Sequence, residues 1–290
     1  MKYIQLRAFH TVAREQSVSR AADALNVTQP AVTLHLQALE DTYGVTLFNR
    51  TKNGVILTRD GRDLYALTGR MFAEEADIQA FLQGTVALER GHLSISADGP
   101  HVALDLVSEY RTRHPGIEVS MTLGNADETL DDVMTGRVDA ALLANPPKSD
   151  RLARVPVLRQ SMVAVVARDH PWAAKKDIEL ADLTGEPVIL RESGSMTRRT
   201  LERALEKKKI RTSPVMELGS REAVKEAAAH GMGIGFMQER ETVGDTRVVG
   251  LGIRDLRETN LDTLVCLKRN AGRRTIKALL EVARDLAAVR

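Results

Sequence analysis

Residues 14–50 read REQSVSRAADALNVTQPAVTLHLQALEDTYGVTLFNR, and this stretch decides the fold. Ser19 is a candidate N-cap for a short helix with Ala21, Ala22 and Leu25 at helical spacing. A turn is expected at Asn26 and Val27. Thr28 then caps a second helix, which tolerates Pro30 because a first-turn N–H has no intrahelical partner to lose. Ala31, Val32, Leu36 and Leu39 repeat at helical intervals and face inward, leaving Gln29, Thr33, Leu34, His35 and Gln37 outward. Two short helices and a tight turn, the second polar on its free face, describe a helix-turn-helix able to enter a major groove. Residues 47–50 and 55–58 flank Lys52-Asn53-Gly54 and read as a β-ribbon with a basic tip, a wing. Periodicity alone leaves an ordinary core hairpin of helices as the competing reading.

The run AADALNVTQPAVTLHLQALEDTYGVTLFNR followed by LTRDGRDLY resembles the DNA-binding end of the LysR-type transcriptional regulators, from Met1 through the next helix. That resemblance implies a winged domain bound to double-stranded DNA. One departure stands out: the family usually places a basic residue and a glutamine where this chain has Leu34 and His35, and no Lys or Arg occurs between Arg20 and Arg50. Phosphate neutralisation is therefore expected from Arg20, Arg50, Lys52 and the helix N-terminus at Thr28, with Ser19 and Pro30 beside it. Gln29 and Thr33 are the expected base readers, with Leu34 against a thymine methyl and Gln37 on the same face. His35 is equally a contact or a solvated residue.

The 290-residue chain is long enough for a small domain plus a larger one of about 200 residues. At 43% hydrophobic and 28% charged, with net charge +2, it has no basic coat, so any nucleic-acid contact is local. The single Cys266 excludes an internal disulfide framework and a cysteine zinc site, and its apolar neighbours predict a buried small hydrophobe. No apolar run approaches membrane-spanning length and MKYIQLRAF is too polar for a signal peptide, so a cytoplasmic protein without membrane partners is expected.

From Thr58 to about Arg90, Leu64, Leu67, Met71, Ile78, Phe81 and Leu82 recur among charges without proline, with Thr58 or Asp60 as N-cap. One long amphipathic helix of this kind needs a partner, and self-association into a dimer or tetramer outranks a solvated spacer. The resemblance implies that it brings two winged domains to two half-sites, with RNA polymerase a further partner.

Beyond His92 strands alternate with helices, which predicts a mostly parallel, helix-covered α/β domain. Strands are expected at 93–97, 117–123, 138–143, 162–167, 187–190, 214–218, 233–237 and 263–267. Helices are expected at 100–113 (Leu104, Leu106, Val107 and Tyr110 inward), 126–135, 196–208, 221–230 and 273–288. Asn145-Pro146-Pro147 reads as a passage between lobes. The fold class is thus α/β with a winged helix-turn-helix at the N-terminus, a long linker helix and a two-lobed domain similar to periplasmic solute-binding proteins. The domains are 1–58, 59–90 and 91–290, with lobe 1 about 91–161 and 268–290 and lobe 2 about 162–267.

Ligands of open α/β sheets lie beyond strand carboxyl ends, near helix N-termini. Four such places can be read: Ala97-Asp98-Gly99-Pro100-His101, Gly124-Asn125-Ala126, Arg191 to Arg198, and Leu218-Gly219-Ser220-Arg221. Ser193, Ser195, Met196, Thr197 and Arg198 form an anion seat at a helix start. Ser195, Thr197 or Ser220 can instead be plain N-caps. Asp98 can cap a helix or hold an ammonium group. The wording ADGPH, ESGSMTRRTLE, ELGSREAVKEAAAHGMGIGFM and VCLKR resembles a LysR subgroup associated with aminoethylphosphonate catabolism. That resemblance implies a phosphonate, phosphate-like anion or amino-acid-like zwitterion as effector, such as 2-aminoethylphosphonate.

Gly231-Met232-Gly233-Ile234-Gly235 precedes a strand where a dinucleotide fingerprint should follow one. Ser193-Gly194-Ser195 lacks the G-x-S-x-G elbow, and the seven histidines lack metal-ligand spacing. No cofactor, metal or enzymatic activity is expected. The rival reading is a small-molecule binding protein or enzyme with a helical N-terminal appendage.

Overall fold

The computed structural model describes residues 1–51, 54–82 and 91–289, and the chain divides into two compact units, Met1–His92 and Leu93–Arg290. The first unit opens with a helix that the sequence reading did not assign, α1 (Tyr3–Glu15), followed by α2 (Val18–Leu25) and α3 (Gln29–Tyr43). Leu6, Phe9 and Val12 of α1 meet Ala21 and Ala22 of α2 and Val32, Leu36 and Leu39 of α3 in one core. Ser17, not Ser19, caps α2, because the helix starts at Val18, two residues earlier than a Ser19 cap implies: the Ser17 hydroxyl accepts the Arg20 N–H at 3.3 Å. Asn26 closes α2 at φ 54°, a left-handed conformation that a short polar side chain tolerates. Thr28 occupies the N-cap of α3 without a side-chain cap bond, and Pro30 lies in the first turn.

β1 (Phe48–Thr51) and β2 (Gly54–Leu57) pair antiparallel as the wing, and Lys52 and Asn53 at its tip fall outside the described residues. Glu40 on α3 accepts the Leu47 N–H at 2.7 Å, which ties the wing to the back of that helix. α4 (Arg59–Leu82) follows, and of the two candidate caps Thr58 serves, accepting the Gly61 N–H at 3.0 Å. The expected continuation over 83–90 lies outside the described residues. Leu64, Tyr65 and Phe72 on α4 pack against the helical core, whereas Leu67, Met71 and Ile78 are exposed.

The second unit contains β3 (Gly91–Ala97), α5 (Pro100–Arg113), β4 (Ile117–Leu123), α6 (Ala126–Thr135), β5 (Ala140–Ala144) and β6 (Leu152–Gln160). Then come β7 (Met162–Ala167), β8 (Asp177–Ile178), β9 (Pro187–Arg191), α7 (Met196–Lys208), β10 (Ser213–Leu218) and α8 (Arg221–Ala229). β11 (Gly235–Gln238), β12 (Val248–Ile253), β13 (Asn260–Leu267) and α9 (Arg274–Val289) complete it. Lobe 1 is a five-stranded sheet in the order β4-β3-β5-β13-β6, and lobe 2 holds β11-β7-β12-β8 with the β10-β9 pair beside it. A bridge between Val188 and Ile234 links β9 to the start of β11.

Three expectations need correction. β13 pairs antiparallel with both β5 and β6, so 260–267 belongs to lobe 1 and both sheets are mixed rather than mostly parallel. Asn145-Pro146-Pro147 leads into β6, an unassigned strand still in lobe 1, and the crossing falls at Ser161 between β6 and β7. Asn145 instead pins the return: its side chain donates to Asn260 at 2.8 Å and accepts the Leu261 N–H at 3.0 Å. Leu104 is 52% exposed, because Val102 and Ala103 supply the inner face of α5 with Leu106 and Tyr110.

Each lobe is a sheet covered on both faces. All six residues of β7 are buried: Met162, Ala164 and Val166 pack toward Leu201 and Leu205 of α7, while Val163 and Val165 meet Val224 and Ala228 of α8. Cys266 is buried in β13. Tyr110 donates to the Thr275 carbonyl at 3.3 Å, holding α9 on lobe 1. Asp139 takes the Ser94 N–H at 2.9 Å and the Arg273 guanidinium at 2.7 Å, both side chains of the ion pair being under one-tenth exposed. Removing one partner of such a pair strands a buried charge. Asp139→Ala should therefore destabilise the second unit by about 3–5 kcal/mol, read as a lower urea midpoint at unchanged slope.

Candidate functional site

The candidate residues fall on two surfaces. On α3, Gln29, Pro30, Leu34 and Gln37 are exposed, Leu34 at 64%, and Thr33 and His35 are half-buried. The Thr33 hydroxyl donates back to the Gln29 carbonyl at 3.1 Å, which leaves its methyl and oxygen lone pairs outward. No side chain caps α3 at Thr28, Pro30 has no N–H and the Ala31 N–H donates to the Thr28 carbonyl at 3.0 Å, so the Gln29 N–H is the first-turn donor open to a phosphate. Ser19 and Arg20 are exposed on α2, and the Arg20 guanidinium donates to the Glu15 carbonyl. Arg50 lies in β1 opposite Val55; its side chain, like all of Lys52, is outside the described residues.

In the second unit a cleft of about 530 Å³, mouth included, lies where the ends of β3, β5, β6, β9, β11 and β13 meet. Asp98, Gly99, His101, Asn125, Ser195, Met196, Thr197 and Arg221 of the expected residues line it. Pro100, Ser193, Arg198 and Ser220 do not, for reasons visible in their bonds. Pro100 is the first residue of α5, and Ser193 is exposed on the loop before α7. Arg198 turns to Glu202 and Glu217, at 2.7 and 2.6 Å, and Ser220 spends its hydroxyl capping α8 through the Ala223 N–H.

Ser195 sits at the N-cap of α7, yet its hydroxyl makes no capping bond and the side chain is only 3% exposed. The first helical bond runs from the Arg199 N–H to the Ser195 carbonyl, so the N–H groups of 196–198 are the open donors of the helix. Asn125 caps α6, accepting the N–H groups of Asp127 and Glu128. Two close approaches join the lobes: a Cβ on Gly194 would lie 2.7 Å from the Asn125 amide, and one on Gly99 would lie 2.4 Å from the Arg221 guanidinium. Ion pairs flank these points, Arg199 with Asp127 at 2.8 Å and Arg240 with Asp105 at 3.4 Å.

The floor holds residues the sequence reading missed, Gln160, Gln238, Glu241 and Asp262, together with Arg191, the first residue of the third stretch read as a ligand place. Asp262 was legible as a lone acid at the edge of an apolar strand run, a signal that a buried carboxylate has a task. Arg191 forks onto Glu192 with two bonds of 2.8 Å, and Arg221 pairs with Glu241. Burial works against the Arg221 cation, but Glu241 and Asp98 outweigh it and raise its pKa. Asp98 does not cap α5; it accepts the Ala144 N–H at 2.9 Å, and burial pushes its pKa up against the pull of Arg221. Asp262, opposite Ala144 in the ladder, is pushed up to about 7 by burial, then by the Asp98 charge.

Residues 4–62 match the model of a bacterial regulatory helix-turn-helix protein, lysR family, and 87–288 match the LysR substrate binding domain. The chain therefore belongs to the LysR family: it is a DNA-binding transcriptional regulator with a small-molecule effector-binding domain, not an enzyme. It is 31% identical over 262 residues to the HTH-type transcriptional regulator CfxR of Cupriavidus necator, covering 90% of this chain and 83% of that one. Full-length CbnR complexed with its target DNA superposes with a TM-score of 0.68 at 21% identity, covering 99% of this chain and all of that one. The Synechocystis PCC6803 CcmR regulatory domain in complex with 2-PG gives 0.63 at 26% identity, over 68% of this chain and 98% of that one. Among the described residues no helix is long and apolar enough to cross a membrane.

A carboxyl whose folded pKa is raised binds its proton more tightly in the native state, so stability falls as pH climbs from the unfolded value to the folded one. For Asp262 that window runs from about 4 to about 7. The melting temperature should thus drop between roughly pH 5 and 8, and Asp262→Asn should flatten the drop. Identical pH profiles for the two proteins would contradict the assignment.

Proposed function

We propose that this regulator binds a roughly palindromic DNA site as a dimer or larger self-assembly and is controlled by a small zwitterion, 2-aminoethylphosphonate or a related phosphonate. The observation that carries the effector reading is a cleft that sets the open N-terminus of α7 against buried carboxylates. Ser195, Thr197 and the first-turn N–H groups of α7 suit the phosphonate, since hydroxyls and the helix dipole favour negative charge. Asp98, across the cleft, suits the ammonium group. The 2-PG complex of CcmR supports a small ligand in a domain of this fold. His101, Asn125, Met196 and Arg221 shape the space between.

On the DNA side, Gln29 can bond bidentately to adenine and Leu34 can press on a thymine methyl, with Thr33 and Gln37 beside them. Leu67, Met71 and Ile78 lie at spacings of four and seven residues on α4 and are exposed in the single chain. That stripe fits the helix of a second copy, which would present two recognition helices to two half-sites. Ligand bound more tightly by one lobe arrangement shifts the population of that arrangement, and a coupling of about 1–3 kcal/mol suffices for regulation of transcription in the cytoplasm.

Calorimetry on the full chain should show binding of 2-aminoethylphosphonate that weakens sharply in Ser195→Ala and in Asp98→Ala. Unaltered affinity in both removes the effector reading. In gel shifts, Gln29→Ala should lose about 1–3 kcal/mol at the preferred site with little change at random sequence, an equal loss at both placing Gln29 off the bases.

A further inference from the structure

Two buried acceptors on the floor of the cleft lack a donor. Gln160 donates its Nε2 to Asp262, which leaves Gln160 Oε1 buried and without a partner. Gln238, 6% exposed, likewise has its Oε1 buried and unpartnered. Both residues line the cleft, at the ends of β6 and β11. Buried acceptors without donors forfeit their hydration and gain nothing in return, so they point to a group that brings its own N–H bonds.

The charges agree. Asp98, Asp262 and Glu241 line the cleft and Glu192 stands behind Arg191, four carboxylates against the two guanidiniums of Arg191 and Arg221. Those guanidiniums form their ion pairs with Glu192 and Glu241, so Asp98 feels Arg221 only at a distance and, among the described residues, neither Asp98 nor Asp262 is in ion-pair contact with a cation. A simple anion pushed to this depth meets surplus negative charge. A primary ammonium group offers three donors and one positive charge, matching two amide oxygens and a carboxylate.

We propose that Gln160, Gln238 and Asp262 form a seat for the primary ammonium group of the effector and so select amine-bearing ligands over their amine-free counterparts. This rests on the cleft being the effector site and moves the ammonium contacts from Asp98 alone to the deeper trio, with Asp98 acting through its charge. Quaternary amines carry the charge without donors and are excluded. The phosphonate assignment is not needed for this seat.

The test pairs ligands at constant anion: 2-aminoethylphosphonate with ethylphosphonate, β-alanine with propionate, and each amine with its N-trimethyl form. Binding to the full chain is followed by calorimetry and thermal shift. At least one primary amine should bind about tenfold or more tighter than both its amine-free and its trimethyl partner. That preference should vanish in Gln160→Leu and Gln238→Leu and grow in Gln238→Glu, a gain that no misfolded variant can show. An amine preference confined to the β-alanine pair keeps the seat and removes the phosphonate. Absence of an amine preference in both pairs overturns the seat, as does a preference untouched by both leucine variants, or no binding of any primary amine at millimolar concentration.

Discussion

The antiparallel pairing of β13 with β5 on one side and β6 on the other is what the second unit depends on. Because β6 hands the chain to lobe 2 at Ser161 and β13 takes it back into lobe 1, the lobes are joined by two neighbouring strands and nothing longer. Every strand end at the crossing then opens onto one space. The same pairing places Asp262 opposite Ala144, whose N–H is held by Asp98, and so brings two carboxylates to the floor of the cleft. Backbone register, rather than any local motif, creates the site.

Energetically the cleft is an unfinished balance. Apolar burial around β7 and β13 gives each lobe a rigid sheet, and the Asp139–Arg273 pair locks α9 against lobe 1. Against that background Asp98 and Asp262 are held where water is scarce and like charge is close, which raises both pKa values. Groups kept in such a state are ready to gain from an arriving cation. The lobes touch through Gly194 on Asn125 and Gly99 on Arg221, and the half-exposed ion pairs beside them are weak enough to exchange when a ligand alters the closure.

Much of this was legible beforehand where the signal is local. The recognition helix follows from Thr28, Pro30 and the spacing of Val32, Leu36 and Leu39; the starts of α5, α6, α7 and α8 follow from their turn residues. The cleft-lining positions at those helix starts, Asp98, Asn125, Ser195 and Thr197, were accessible for the same reason. What escaped depends on distant partners. The run 263–267 announces a buried strand but says nothing of which sheet receives it. Gln160 and Gln238 are unremarkable polar residues until pairing carries them to the same floor, and Ser220 resembles a ligand residue until its cap bond to Ala223 is seen. Leu104 was misplaced because two small or β-branched neighbours, Val102 and Ala103, could fill the same face.

The central claim is that one small molecule is held by both lobes at once. Hydrogen exchange of the full chain with and without 2-aminoethylphosphonate tests it most directly. The account predicts slowed exchange at 98–101 and 260–262 in lobe 1 together with 195–199 and 238–241 in lobe 2. Protection confined to one lobe, or none with ligand saturating, would contradict it.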